Sequence, residues 1–218
     1  MEKKRFTVLP EWIQQGFLKL IDPVIDLIVQ FNVHPHFFTV LGLVLSGVSA
    51  YFFATGDLRM GGMFVLLGGI CDILDGKIAR RSGLSSKFGA LLDSSLDRYA
   101  EMFMYLGIGI YFVREGNPAT SMMVFLALGG SLMVSYVRAR AEGLGYDCKV
   151  GLMQRPERIV YIGFGAILHA LILEIVIWMV AILANFTAFQ RMQHVWKLEK
   201  KEKEAEEQEE PLDESLGI

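Results

Sequence analysis

Apolar positions along this chain come in long blocks, not in the single stripes of a helix packed on a water-soluble core. Four blocks, near residues 36–54, 60–81, 87–113 and 118–141, each reach about the 20 residues needed to cross a hydrocarbon layer. A fifth runs from 157 to 192. At about 1.5 Å per residue it is too long for one crossing of a core about 30 Å thick. His169 and Glu174 bracket its midpoint, which predicts a tight turn there and two spans, near 157–171 and 173–195. The pattern predicts an all-α integral membrane protein with six transmembrane helices.

Residues 10–31 have a different pattern. Ile13, Phe17, Ile21, Val24, Ile28 and Phe31 recur at helical spacing, while Glu11, Gln15, Lys19, Asp22, Asp26 and Gln30 fall opposite. Two acids and Pro23 in its middle argue against a span, so an amphipathic juxtamembrane helix lying along the membrane surface is predicted.

Composition agrees with the blocks: 53% of the 218 residues are apolar, and the mean hydropathy is +0.40. The net charge of −3 hides an asymmetry. Residues 199–218 hold nine acids against three lysines, a net of −6, which leaves +3 on residues 1–198. The chain therefore divides into a membrane domain, 1–198, and an acidic tail, 199–218, read as a solvated helical extension. Lys77, Arg80, Arg81 and Lys87 fall in one interhelical connection, and Arg138, Arg140, Lys149, Arg155 and Arg158 in another, whereas only Arg59 and Arg114 fall on the opposite side. The positive-inside bias then puts both termini on the cytoplasmic side of a multi-pass cell-membrane protein. Lys3, Lys4 and Arg5 are not followed by the short apolar core and cleavage site of a secretory signal. Membrane lipids are the expected surroundings, and no nucleic-acid partner is expected. Cys71 and Cys148 imply no disulfide framework.

Acids inside apolar helices are costly and usually functional. Asp72 and Asp75 are three apart and share one helix face; Asp93 and Asp97 are four apart and share another. The short 81–87 connection makes those helices antiparallel neighbours, so the faces can meet. Four converging carboxylates without comparable positive charge must be protonated or hold metal. An all-oxygen ligand set suits Mg²⁺ or Mn²⁺, and two such ions in one site are a common arrangement for phosphoryl displacement. Gly76 directly follows Asp75, and Gly89 lies one turn before Asp93. Each glycine costs a helix about 1 kcal/mol relative to alanine, which points to a backbone that something must approach. Gly68 and Gly69 fit close helix packing instead.

Asp72-x-x-Asp75-Gly76-x-x-Ala79-Arg80, eight residues, then Gly89-x-x-x-Asp93-x-x-x-Asp97 resembles the signature of the CDP-alcohol phosphotransferase family. The resemblance covers roughly residues 30–195. It implies six transmembrane helices preceded by a juxtamembrane helix, usually as a homodimer. It implies metal binding by Asp72, Asp75, Asp93 and Asp97, with Asp97 also the general base. It places Gly76, Arg80 and Ser86 around the CDP of a CDP-linked lipid, and the Pro35-His36-Phe37-Phe38 entry to the first span beside the same nucleotide. His36 stands where the family usually has asparagine. A second stretch, Ser135 to Gly143 followed by Arg155-Pro156-Glu157-Arg158, resembles the phosphatidylinositol phosphate synthase subgroup. In that subgroup cations at the positions of Arg138, Arg158 and Arg191 hold the phosphate of the acceptor. A phosphorylated polyol such as inositol 1-phosphate suits several forked guanidinium groups, as would glycerol 3-phosphate. Arg140, Glu142, Arg155 and Glu157 are expected to form structural ion pairs, and Tyr99, Glu101, His169 and Glu174 to have no catalytic role. A cation-coupled carrier also places acids in spans, but it does not explain the interleaved glycine and arginine, and the chain shows no inverted repeat. The aspartate-rich prenyl transferases leave the glycines and Arg80 equally unexplained.

Overall fold

A computed structural model describes residues 11–31 and 33–209, and among them all regular structure is helical. Seven helices follow in order: α1 (Glu11–Gln30), α2 (Pro35–Thr55), α3 (Leu58–Arg81), α4 (Lys87–Arg114), α5 (Pro118–Gly143), α6 (Arg155–Leu168) and α7 (Ala170–Glu209). Lys3, Lys4, Arg5 and the tail's last residues, 210–218, lie outside the described residues.

Local chemistry sets the helix ends. The Asp57, Ser86 and Asn117 side chains accept from the amides of Met60, Gly89 and Thr120, capping α3, α4 and α5. Gly56, at φ 96°, closes α2 in a left-handed conformation that favours glycine. His169, in extended conformation, separates α6 from α7. The chain reverses there, because Gly165 packs on Leu173 and Val176, and Met153, farther from the turn, donates to Thr187 Oγ1 at 3.1 Å. The expected turn is thus present, at His169 itself.

The register of contacts shows which ends lie together. Ser49 donates to the Gly61 carbonyl at 2.8 Å, so α2 and α3 are antiparallel. α3 runs antiparallel to α6, from Gly62 beside Gly163 to Asp72 bonded to Arg155. α2 and α4 are parallel, with His36 against Gly89 at one end and Ala50 against Gly107 further along. This brings the start of α2, the end of α3, the starts of α4 and α6 and the end of α5 to one end of the bundle. Every basic residue of the two predicted connections is at that end, and Arg59 and Arg114 are at the other.

Phe53, Met104, Tyr105, Ile108, Ile162, Leu173 and Ile177 form the buried core. Outward positions such as Tyr51, Leu106, Val113, Phe125 and Ile182 remain exposed, an apolar belt suited to lipid. By length and composition, α2, α5 and residues 170–205 of α7 could each cross a membrane. α3 and α4 miss that criterion because they carry the acids and basic residues discussed above. α6, with 14 residues, spans only about 21 Å at 1.5 Å per residue. Among the described residues, three of the six expected spans thus stand out by length and composition.

α1 packs on α3: Ile21 and Ile25 are buried with Leu74 and Ile78. Its acids do not simply face outward. Asp22 accepts from Lys77 and Arg81, both at 2.8 Å, and Asp26 pairs with Arg81. The Lys77 ammonium hydrogen-bonded to Asp22 holds that carboxyl below the usual carboxylate range. Val24 and Phe31 remain exposed. α7 continues as helix into the acidic region, with Glu199–Lys203 and Lys200–Glu204 pairs and a 2.8 Å bond from Tyr146 to Glu202.

Candidate active site

The convergence expected from the two helix faces is present. One carboxylate oxygen from each of Asp72, Asp75 and Asp93 lies within 4.8 Å of the others. α3 supplies the first pair and α4 the third. Asp75 Oδ2 and Asp93 Oδ1 are buried without a hydrogen-bond partner. Buried acceptors with no donor mark a place that lacks positive charge. A hard divalent cation with oxygen ligands fits it.

Asp97 sits one turn further along α4 with different partners. Arg155, the first residue of α6, donates from Nη1 to Asp72 Oδ2 at 2.6 Å and from Nη2 to Asp97 Oδ1 at 2.7 Å. Arg98 reaches the other Asp97 oxygen at 3.3 Å and also bonds the Ser94 carbonyl. The spacing of the acids alone implied a cluster without comparable positive charge, with Arg155 in a structural ion pair elsewhere. The fold instead places Arg155 on the cluster. The signal was the deficit itself: the acids needed a cation, and the proline at 156 starts a helix with Arg155 at its head.

Two cavities share the wall formed by Asp75 and Thr39. One lies between α2, α3, α4 and α6 and is lined by Phe38, Ser46, Asp72, Asp75, Asp97 and Arg155 among others. The second is lined by Pro35, His36, Gly76, Arg80, Ser86, Gly89 and Asp93 among others. Phe38 therefore faces the first cavity, apart from Pro35 and His36 in the second, and Phe37 lines neither and is exposed. Ser86 both lines the second cavity and caps α4 through Gly89.

The two glycines differ. A Cβ on Gly76 would meet only the Arg80 guanidinium, at 3.4 Å, so packing alone does not demand glycine there. A Cβ on Gly89 would press on Ser86 Oγ and His36, at 3.0 and 3.1 Å. A Cβ on Gly69 would meet Ile159 Cγ2 at 3.0 Å, in keeping with close helix packing there.

None of the three predicted acceptor arginines lines either cavity. Arg138 is partly exposed and bonded to Glu142 at 2.8 Å. Arg158 is fully buried and donates twice to Glu101, at 3.0 and 2.5 Å. Arg191, 2% exposed, donates to the carbonyls of Val150 and Val134 at 2.8 and 2.5 Å. Arg191 is within electrostatic reach of both Arg138 and Arg158. Glu101 thus has the partner the sequence did not reveal. Glu174 has two, Asn117 and Thr120.

The family model for CDP-alcohol phosphatidyltransferase fits residues 32–189, and the chain belongs to that family. It is a membrane transferase of phospholipid biosynthesis. An archaetidylinositol phosphate synthase of Methanothermobacter thermautotrophicus is 36% identical over 183 residues, covering 82% of this chain and 90% of that protein. A phosphatidylinositol phosphate synthase of Mycobacteroides abscessus is 34% identical over 190 residues, covering 84% and 86%. The crystal structure of the Mycobacterium tuberculosis phosphatidylinositol phosphate synthase with CDP-DAG bound aligns with TM-score 0.74 at 27% identity, over 82% of this chain and 94% of that one. The same enzyme's structure in complex with manganese and citrate aligns with TM-score 0.73 at 28% identity, over 80% and 88%.

Proposed function

We propose that this enzyme transfers the phosphatidyl-type group of a CDP-linked lipid, CDP-diacylglycerol or an ether-lipid counterpart, to the hydroxyl of inositol 1-phosphate, releasing CMP. The observation that carries the reading is the convergence of Asp72, Asp75 and Asp93, with two unpaired oxygens, beside the cavity walled by Gly76, Arg80 and Gly89. The names of the archaeal and bacterial relatives, both inositol phosphate lipid synthases, support the acceptor.

In this reading Asp72, Asp75, Asp93 and Asp97 hold two Mg²⁺ or Mn²⁺ ions. When bound, the metal supplies charge neutralisation at the pyrophosphate and Lewis acidity at the phosphorus. Arg80 pairs with the nucleotide phosphates, Gly76 gives them backbone access, and Pro35, His36 and Ser86 border the cytidine, with Phe37 and Phe38 at the lipid entrance. Asp97 accepts the proton of the acceptor hydroxyl. That oxygen attacks the lipid-linked phosphorus in line, the bond to CMP breaks, and positioning and charge stabilisation do most of the work. Arg138, the most exposed of the three acceptor arginines, meets the acceptor's phosphate; Arg158 and Arg191 add positive potential from behind it.

The same reading assigns six membrane-crossing helices with α1 on the surface, a membrane domain over 1–198 and a solvated tail over 199–218. The basic end of the bundle, both termini and the site face the cytoplasm, as the positive-inside bias requires. A homodimer is the proposed assembly.

Release of CMP from CDP-diacylglycerol, measured in membranes with each acceptor in turn, tests the function. Inositol 1-phosphate should support turnover and free inositol should not. Glycerol 3-phosphate as the preferred acceptor would replace the polyol assignment, and no CMP with any phosphorylated acceptor would overturn the reading. Asp97→Asn should abolish turnover while CDP-lipid binding persists.

A further inference from the structure

Arg155 is placed as no structural ion pair would need. It heads α6, at the junction with the irregular 147–154 segment, so its own N–H belongs to the first turn and has no intrahelical acceptor to lose. Its two terminal nitrogens span from Asp72 on α3 to Asp97 on α4. Its Nε is buried and unbonded, so the guanidinium is held at its tip alone. Asp72 thus serves two groups: it belongs to the cluster with Asp75 and Asp93, and its Oδ2 takes the arginine.

Three carboxylates within 4.8 Å repel one another strongly in a low dielectric. A single forked cation touching two of the four acids relieves that repulsion before any metal is present. A divalent ion that uses Asp72 Oδ2 and Asp97 Oδ1 must then displace the fork, because the arginine already holds those two oxygens.

We infer that Arg155 is a built-in counter-cation, holding Asp72 and Asp97 in the metal-free enzyme and giving them up by exchange when the divalent ion enters. This rests on the metal reading of the aspartates given above. Its consequence is that metal loading is a swap of one cation for another. The metal-free protein stays folded, and its apparent metal affinity is lowered by the arginine's competition.

The test uses full-length protein in detergent, stripped of metal, with Mn²⁺ as the probe. Free Mn²⁺ is read by electron paramagnetic resonance, and the melting temperature is taken with and without saturating Mn²⁺. Arg155→Gln should bind Mn²⁺ about tenfold more tightly than wild type, since a charge-assisted fork no longer competes. Arg155→Lys, which keeps the charge but not the two-pronged grip, should fall between. The metal-free Arg155→Gln protein should melt below wild type, and saturating Mn²⁺ should close most of that gap. A glutamine variant that binds no more tightly than wild type, or a melting deficit unchanged by Mn²⁺, would make Arg155 an ordinary structural residue and overturn the inference. Should the glutamine variant not fold, a lysine variant that binds Mn²⁺ with wild-type affinity would overturn it equally. Wild type and Asp75→Asn alike failing to bind Mn²⁺ would instead remove the metal reading itself.

Discussion

Glu101 and Arg158 are both fully buried, joined through one carboxylate oxygen, with Glu101 Oε2 left unpaired. Neither has another formal counter-charge among its hydrogen-bond partners; Arg158 also donates to the Met153 carbonyl at 3.3 Å. Removing one member strands a charge in the bundle, which costs about 3–5 kcal/mol. Glu101→Ala should therefore lower the melting temperature by well over the effect of an exposed pair such as Arg138–Glu142, which is worth about 0–1 kcal/mol. Thermal denaturation of Glu101→Ala beside Glu142→Ala checks this; equal shifts would contradict the burial argument. The pairing also bears on the proposed acceptor site. Arg158 can add potential there but has its strongest bonds elsewhere, so Arg138→Ala should raise the acceptor KM more than it lowers stability. Sequence reasoning selected these arginines by resemblance and could not see that Glu101, fifty-seven positions away in the chain, already claimed one.

At the scale of elements, helix faces were the most legible feature and helix lengths the least. Spacings of three and four between aspartates placed two acids on each of two helices, and the caps at Asp57 and Ser86 begin those helices where short polar residues occur, as Asn117 begins α5. The acids' need for a cation was legible, but not that Arg155 meets it, because α6 meets α3 through a register that no local pattern encodes. Nor was the pairing of Asp22: amphipathicity placed it opposite the apolar stripe, but Lys77 and Arg81 draw it onto α3. Glycines show how helix packing and site can be separated by mutation. A Cβ at Gly107 would lie against the backbone of Ala50, where α2 and α4 run side by side. Gly107→Val should thus destabilise the bundle by about 1–3 kcal/mol, as over-packing does. Gly76→Ala meets only a flexible guanidinium and should leave the melting temperature near wild type while raising the KM for the CDP-linked lipid. Melting curves and donor KM values for both variants provide the comparison; a large stability loss in Gly76→Ala would assign that glycine to packing.

Across the whole molecule, one end of the bundle gathers the carboxylates, both cavities and most of the positive charge, and the other is nearly bare of it. That polarity was readable from the distribution of lysine and arginine, since it depends only on which connections alternate. How many helices cross the membrane was less readable, because the helices that carry the chemistry are those whose acids lower their hydropathy. Cysteine labelling in intact cells measures the orientation. Cys71 and Cys148 are both buried, so single cysteines introduced at Ser85 and at Glu115 report the two ends. The former should react only after the membrane is permeabilised and the latter before; the reverse pattern would invert the assignment. Anomalous X-ray scattering from crystals of the full chain grown with Mn²⁺ tests the central claim most directly. The account predicts manganese peaks within ligand distance of Asp72, Asp75 and Asp93. A map with no peak there at abundant Mn²⁺, or with these side chains turned apart, would contradict it.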